Sequence, residues 1–138
     1  MKKEVLSVKN KYNEWSMLLL RLILGITFFA HGLQKISGFD GIAQFFGSLG
    51  LPSFLPYFVT AIETGGGLFL LLGLLTRLAA TGISAVMLGA IFTVKLDKGF
   101  IGGYESEVML LAVAIALIIS GSHIFALDNL WHKKSSEK

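Results

Sequence analysis

The chain has 138 residues, of which 54% are hydrophobic and 15% charged, and its mean hydropathy is +0.71. A soluble domain carries about 25% charged residues, and here the apolar residues form long runs, so we predict a single integral membrane domain in a lipid bilayer. The sequence contains no cysteine, which excludes disulfides, thiol catalysis and cysteine-ligated iron–sulfur or haem groups. The net charge of +3 lies largely near the chain ends, which concerns membrane topology and does not indicate nucleic-acid binding.

The first apolar run predicts a membrane span from about Trp15 to Ile36, after a polar tail of residues 1–14. Because the run does not end in a small-residue cleavage site, we expect a retained helix and not a cleaved signal peptide. Gly25 and Gly32 share one stripe of this helix, where they allow a neighbouring backbone to come close. The polar side chains on or beside the same stripe, which we expect to face protein, are Arg21, His31 and Lys35.

A short helix, predicted from Gly41 to Leu49 with Asp40 as its N-cap, connects the first span to the second. It is too short to cross a membrane. The simpler interpretation is an amphipathic connector, and the alternative is a cap that lies in the membrane interface over the bundle. The second span, about Phe54 to Leu75, contains Glu63 and the consecutive glycines 65–67. These glycines permit close approach either of another helix or of a ligand.

The third span is predicted from about Leu78 to Leu96, with a seam of small residues at four-residue spacing that is typical of helix packing. The fourth span is predicted from about Tyr104 to Ser120, and residues 128–138 form a C-terminal tail. The small residues of the third-span seam are Thr81, Ala85 and Gly89.

Lysine and arginine counts near the span ends predict the orientation. Four spans bring both termini to one side of the membrane, together with Arg77 and seven lysines. The opposite side, here called the outer end, carries three lysines. We therefore expect both termini in the cytoplasm and a membrane domain of residues 15–127.

Glu63 is the central feature of the sequence, because a charge at mid-membrane costs at least about 2.5 kcal/mol on insertion scales. At about 1.5 Å per residue it lies about 13 Å from the outer end of its helix, between the levels of Arg21 and His31. Arg21 would keep the carboxylate ionised, whereas His31 would form a site that exchanges a proton near physiological pH. Glu63 and His31 are therefore the candidate catalytic residues. The alternative is an internal ion pair that only fixes helix packing.

A second polar cluster is predicted at the outer end. The simpler interpretation is a set of solvated ion pairs, and the alternative is a polar vestibule that leads past His31 to Glu63. Aromatic walls with a few convergent polar groups suit a flat ligand such as a quinone. The charged members are Lys35, Lys95, Glu105 and Glu107, and the candidate aromatic walls are Phe28, Phe45, Phe46, Tyr57 and Tyr104. The three histidines, His31, His123 and His132, show no metal-ligand spacing, so we expect no metal site.

Several short motifs, in order along the chain, resemble those of the DoxX family. The motifs are Arg-Leu-Ile-Leu-Gly (21–25), His-Gly-Leu-Gln-Lys (31–35), Phe-Phe-Gly-Ser-Leu-Gly-Leu-Pro (45–52), Glu-Thr-Gly-Gly-Gly-Leu-Phe-Leu-Leu-Leu-Gly-Leu-Leu-Thr-Arg (63–77) and Gly-Tyr-Glu (103–105). The resemblance covers about Leu18 to Leu127.

The resemblance implies a small four-span bundle in the bacterial plasma membrane. The family takes its name from a subunit of an archaeal thiosulfate:quinone oxidoreductase, and other relatives are linked to oxidative-stress or quinone and catechol responses. Since the sequence lacks the Gly-x-Gly-x-x-Gly dinucleotide fingerprint, the resemblance implies a redox group supplied by a bound quinone or a soluble partner protein. The family motifs place ligand-binding or charge-pairing groups at Arg21, His31, Lys35, Glu63, Arg77 and Glu105.

Three functions are compatible with these residues. The first is a membrane subunit of a redox system that acts on or with quinone, in which Glu63 and His31 handle protons and Arg21 holds the charge of Glu63. The second is a proton-coupled transporter of an aromatic or acidic solute, which would have to form a homodimer because four spans are few for a transport path. The third is a non-catalytic scaffold for a soluble partner.

Overall fold

The computed structural model describes residues 1–135, and these residues form helices and turns without a strand. Residues 136–138, the last part of the predicted C-terminal tail, lie outside the described residues, and with them Lys138, which entered the orientation count. The six α-helices are α1 (Lys2–Ser37), α2 (Phe39–Ser48), α3 (Leu55–Leu72), α4 (Thr76–Ala90), α5 (Glu105–Ser120) and α6 (Asp128–Ser135).

Within the described residues, four segments are long and apolar enough to cross a membrane: Lys2–Ser37, Leu55–Leu72, Thr76–Lys98 and Phe100–Ser120. The third segment continues α4 through a π-helical turn and a 3₁₀ turn, and Gly99 then reverses the chain with a φ of 77°. The predicted all-α membrane bundle of four spans, with a short helix between the first two, is confirmed.

Helix α1 is longer than the predicted span, because the polar tail of residues 1–14 continues the helix without a break. Its 36 residues correspond to about 54 Å, whereas the hydrocarbon core of a bilayer is about 30 Å thick. The N-terminal turns of α1 therefore extend beyond the hydrocarbon on the side of the chain termini.

The spanning helices form a ring in which α1 packs against α3, α3 against α4, and α4 against α5, while α5 also contacts α1. Most of the remaining apolar side chains point outward, as expected for spans surrounded by lipid. Buried residues of all four helices form the core: Leu24, Phe28, Leu70, Ala79, Ala80, Ile83, Met87, Ala114 and Leu117.

The crossing of α1 over α3 depends on glycines. A Cβ atom at Gly32 would lie 2.1 Å from Thr64 Oγ1, and one at Gly67 would lie 2.4 Å from the Phe29 backbone nitrogen. Contacts this short leave no room for a side chain, so the two backbones approach closely only because these residues are glycine. Within the triple glycine, Gly67 therefore serves helix packing, whereas a Cβ at Gly65 would meet nothing within 4 Å.

Helix α2 differs from the prediction at its start. It begins at Phe39, its N-cap is Gly38, and Asp40 lies inside the first turn without a side-chain capping bond. Asp40 as an N-cap was therefore wrong, because Gly38 already turns the chain from α1 into α2 and leaves Asp40 inside the helix.

Candidate functional site

Glu63 is buried in the bundle and forms an ion pair with Lys35. The Nζ atom of Lys35 lies 2.7 Å from Oε1 and 2.7 Å from Oε2 of Glu63. The Glu63 side chain is 4% exposed and the Lys35 side chain 22% exposed, so the pair is largely withdrawn from the surface. An isolated charge at this depth is costly, and the lysine supplies the counter-charge that offsets the cost.

The direction of the two helices explains why these two side chains meet. Side chains on a helix tilt toward its N-terminus. Helix α1 runs toward the outer end, so Lys35, in its last turn, points back into the bundle. Helix α3 runs the opposite way, so Glu63 points toward the outer end. The close crossing of Gly32 and Thr64 lies one turn before Lys35 and next to Glu63 in sequence, and it brings the two helices within reach.

A cavity of about 350 Å³ opens beside this ion pair. Residues of helix α2 line one part of it. The α4 residues Ala85 and Gly89, which were expected to pack against a helix, line another part. The lining is mostly apolar and includes aromatic side chains, two lysines and one carboxylate. The aromatic and charged residues of the lining are Phe45, Phe46, Phe58, Lys35, Lys95 and Glu63. Helix α2 thus contributes Ile42, Phe45 and Phe46 to the lining, although none of its residues is buried.

A second ion pair lies at the same end. Lys95 Nζ is 2.5 Å from Glu107 Oε1, with side-chain exposures of 31% and 12%. Ser106 Oγ donates a hydrogen bond to the other oxygen of Glu107. Glu105 instead accepts a hydrogen bond from the Gly102 backbone N–H, and it does not line the cavity. Of the two carboxylates that open α5, Glu107 is therefore the partner of Lys95, and Glu105 stabilises the turn before the helix.

Arg21 lies at the end of the bundle that carries the chain termini, here called the terminal end, and does not contact Glu63. Its guanidinium is buried and donates hydrogen bonds to the carbonyl oxygens of Ser122, Ile124 and Phe125 and to the Ser122 hydroxyl. Because side chains tilt toward the helix N-terminus, Arg21 points away from the level of Glu63. The predicted Arg21–Glu63 pair is wrong, and Arg21 instead holds the segment that follows α5.

His31 is exposed on the surface of α1, where its ring lies 6.4 Å from that of Phe28. It neighbours Gly32 but points away from the crossing with α3, so it is not the partner of Glu63. The prediction of a Glu63–His31 pair is therefore also wrong. Among the side chains that the structure describes, which do not include that of His132, no group of three His, Asp or Glu residues is arranged to hold a metal ion.

The predicted aromatic walls are only partly those of the cavity. Phe45 and Phe46 line it, as does Phe58, which the sequence interpretation did not single out. Phe28 is part of the buried core instead. Tyr57 packs against Phe39, with ring centroids 4.4 Å apart, and lines a separate groove between α1 and α3. Tyr104 packs against Phe100, with ring centroids 5.5 Å apart.

Arg77 is exposed at the start of α4, on the terminal end, and does not line the cavity beside the Lys35–Glu63 pair. It borders a different cavity, together with Gly121 and His123. The structure therefore brings together Glu63, Lys35 and Lys95 from the predicted site residues, and it places Arg21, His31, Arg77 and Glu105 elsewhere.

The chain is similar to several bacterial membrane proteins. It is 48% identical over 119 residues to "Putative oxidoreductase CatD" of Bacillus subtilis (strain 168), a match that covers 86% of this chain and 89% of the relative. It is 30% identical over 129 residues to "Inner membrane protein YqjF" of Escherichia coli (strain K12), covering 90% of this chain and 98% of the relative. No solved structure matches the chain significantly.

The DoxX family model matches residues 16–96, which are more than half of the chain. This segment contains the α1–α3 crossing, helix α2 and the cavity residues from Lys35 to Lys95. Together with the relatives that match over most of their length, it shows that this chain belongs to the DoxX family of membrane proteins.

Proposed function

We propose that this protein is a membrane subunit of a redox system that acts on or with quinone. The observation that carries the proposal is the cavity of about 350 Å³ whose lining combines aromatic side chains with the Lys35–Glu63 ion pair. Ligand sites typically have volumes of about 300–1,000 Å³, are largely apolar, and contain a few convergent polar groups.

The residues of the cavity fit a quinone ring. Phe45, Phe46 and Phe58 offer flat apolar surfaces for it, and Lys35 and Lys95 offer hydrogen-bond donors for its two carbonyl oxygens. The cavity lies among the spans and under α2, so a lipid-soluble ligand reaches it from the bilayer. These features support a quinone more than a highly charged solute, for which a mostly apolar lining is unfavourable.

The charged residues have distinct proposed roles. A bound quinone would supply the electron-accepting group. Lys35 and Lys95 would stabilise negative charge on the oxygens of the ligand, because ammonium groups in a low-dielectric site interact strongly with developing charge. Glu63 would exchange a proton with Lys35 or with the ligand, because its carboxylate already contacts the lysine at 2.7 Å. Each group would thus act within the cavity, without a contribution from His31 or Arg21.

Electrons would come from a soluble partner, because the sequence contains neither a cysteine nor a dinucleotide fingerprint. The name of the Bacillus subtilis relative, "Putative oxidoreductase CatD", agrees with redox chemistry, and the name of the Escherichia coli relative agrees with an inner-membrane location. We place the protein in the bacterial plasma membrane with both termini in the cytoplasm, from the distribution of lysine and arginine. A role in oxidative-stress defence is part of the same proposal.

Photoaffinity labelling with a short-chain azidoquinone tests the site. In the purified wild-type protein, we expect labelled peptides to map to α2 and to the α3 segment around Phe58, and excess unlabelled quinone to abolish the labelling. Glu63→Gln should weaken labelling about tenfold, because it removes the charge that positions Lys35.

Glu105→Gln is the matched control, since it removes the same charge at the same end but keeps an acceptor for Gly102 and lies outside the cavity. We expect it to be labelled like the wild type. Labelling spread over the lipid-facing surface, or equal labelling of the Glu63→Gln variant, would contradict the proposal.

A further inference from the structure

A second and larger cavity, of about 610 Å³, lies at the terminal end of the bundle. It is lined by the start of α4 with the preceding Leu75, by residues 121–123 at the beginning of the 121–127 segment that follows α5, and by the start of α6. Neither the Lys35–Glu63 pair nor any other residue of the proposed quinone site borders it.

The guanidinium of Arg77 and the imidazole of His123 converge in this cavity around Gly121. A Cβ atom at Gly121 would lie 3.3 Å from Arg77 Nε, 3.7 Å from Arg77 Nη2 and 3.6 Å from His123 Nε2. Gly121 has a φ of 67°, a conformation that other residues rarely adopt, and its lack of a side chain leaves the space between the two groups open. The guanidinium and the imidazole therefore face the same small volume.

Arg77 has no carboxylate partner in the described part of the chain: no Asp or Glu oxygen lies within 4.0 Å of its guanidinium. Asp128 also borders the cavity, but its carboxylate accepts the Leu75 backbone N–H at 2.9 Å and interacts electrostatically with Arg21. Among the described residues, the cavity thus contains an exposed arginine without an ion-pair partner.

The start of α4 adds further donors. Thr76 is the first residue of this 15-residue helix, and it lines the cavity. It is 4% exposed, and its hydroxyl has no hydrogen-bond partner among the described residues. The first N–H groups of a helix lack intrahelical partners and carry the positive end of the helix dipole. Arginine, helix N-terminus and hydroxyl together form the donor set that binds phosphate in proteins.

The rest of the lining indicates which phosphate compound fits. Leu75, Leu78 and Trp131 give the cavity a mainly apolar wall. Helix α3 ends at Leu72 and the next span begins at Thr76, so the cavity lies where the hydrocarbon meets the headgroups. Exposed tryptophan, such as Trp131, is enriched at this level of a membrane. A ligand with both a phosphate group and apolar chains can accept hydrogen bonds from the donors and pack against the apolar wall. Free phosphate can only do the first.

We propose that this cavity binds the phosphate group of an anionic phospholipid, with Arg77 as the principal ligand and His123, Thr76 and the first N–H groups of α4 as further donors. A zwitterionic headgroup binds less well, because its cationic end is repelled by Arg77. The lipid joins α4, α6 and the 121–127 segment, and so stabilises the terminal end of the bundle.

The experiment is a thermal-melting titration of the delipidated protein in detergent with phosphatidylglycerol, with phosphatidylcholine of the same chain length, and with inorganic phosphate. For the wild type, we expect a saturable rise in melting temperature with phosphatidylglycerol only. Arg77→Gln should weaken the apparent affinity about tenfold, and His123→Gln about threefold. Lys11→Gln is the matched control, because it removes one positive charge from an exposed position at the same end, and it should behave as the wild type.

Equal affinities of the wild type and Arg77→Gln would overturn the proposal, as would an equal effect of phosphatidylcholine. An equal effect of inorganic phosphate would overturn the assignment to a lipid and leave a free-anion site. Because Glu63 is not part of this cavity, Glu63→Gln should keep the response to phosphatidylglycerol, so this test is independent of the quinone proposal.

Discussion

Replacing Lys35 with methionine tests the energetic role of the buried ion pair, because it removes the ammonium group and keeps most of the side-chain volume. In the wild type this group lies 2.7 Å from both oxygens of Glu63. The substitution leaves a carboxylate with 4% side-chain exposure without a counter-charge. Removing one partner of a buried ion pair costs about 3–5 kcal/mol. Since the Lys35 side chain is 22% exposed and the pair is therefore only partly withdrawn from water, we expect the lower end of this range, about 3 kcal/mol.

The reverse substitution, Glu63→Gln, should cost less. The remaining Lys35 has 22% side-chain exposure in the last turn of α1, so its flexible chain can turn toward the headgroups. The glutamine oxygen also retains an acceptor, so the expected cost is about 1 kcal/mol. In the double variant, neither charge remains, and we expect a total cost of about 2 kcal/mol, which corresponds to a coupling energy of about 2 kcal/mol.

Unfolding in mixed detergent micelles, followed by circular dichroism, measures these differences. The Lys95–Glu107 pair is the internal control, because its lysine is 31% exposed and its carboxylate 12% exposed. A double-mutant cycle at that pair should give a smaller coupling energy, below about 1 kcal/mol. The reasoning fails if Lys35→Met costs no more than Glu63→Gln, or if the two single costs add up in the double variant.

Two further predictions concern the packing that positions the site. Gly67→Ala should destabilise the bundle by about 2 kcal/mol or more, because the new Cβ would lie 2.4 Å from the Phe29 backbone nitrogen. Gly65→Ala should be neutral or stabilising, because its new Cβ would meet nothing within 4 Å. The melting temperatures of the two variants measure these effects, and equal losses would contradict the account of the crossing. Arg21→Gln should release the segment of residues 121–127, because Arg21 holds it through side-chain hydrogen bonds to three carbonyl oxygens. Faster hydrogen–deuterium exchange in that segment would confirm this role, and unchanged exchange would exclude it.

The sequence was sufficient for the fold because the signals for membrane spans are local. Long apolar runs, separated by short polar turns, determine where helices cross a bilayer, and the glycines on the stripe of α1 predict a close neighbour. The structure places Gly32 and Gly67 at that crossing. The length of α1 was less predictable, since a polar helix that leaves the membrane has no apolar pattern to mark it.

The partner of Glu63 was not predicted, because candidate partners were judged only by the depth of their backbone in the membrane. By that measure, Arg21 and His31 bracket Glu63, whereas Lys35 lies farther out. A lysine side chain is long, and its direction on α1 carries the ammonium group inward, while Glu63 on the antiparallel α3 points outward to meet it. The same rule directs Arg21 toward the terminal end. Side-chain direction, added to depth, would have favoured the correct pair.

The cavity itself also depends on tertiary structure. Ala85 and Gly89 match a helix-packing pattern, and only the tertiary structure shows that they line a cavity together with residues of α2. The choice between Glu105 and Glu107 likewise follows from the turn before α5, where the Gly102 N–H takes Glu105 as its acceptor.

The most direct test of the proposed function is to measure whether quinone co-purifies with the protein. The wild type, Glu63→Gln and Glu105→Gln are purified in mild detergent and extracted with organic solvent, and quinone is quantified by mass spectrometry relative to protein. The proposal predicts near-stoichiometric quinone in the wild type and in Glu105→Gln, and a strong loss in Glu63→Gln. Background levels of quinone in all three proteins, or equal amounts in the wild type and Glu63→Gln, would contradict a quinone site beside the Lys35–Glu63 pair.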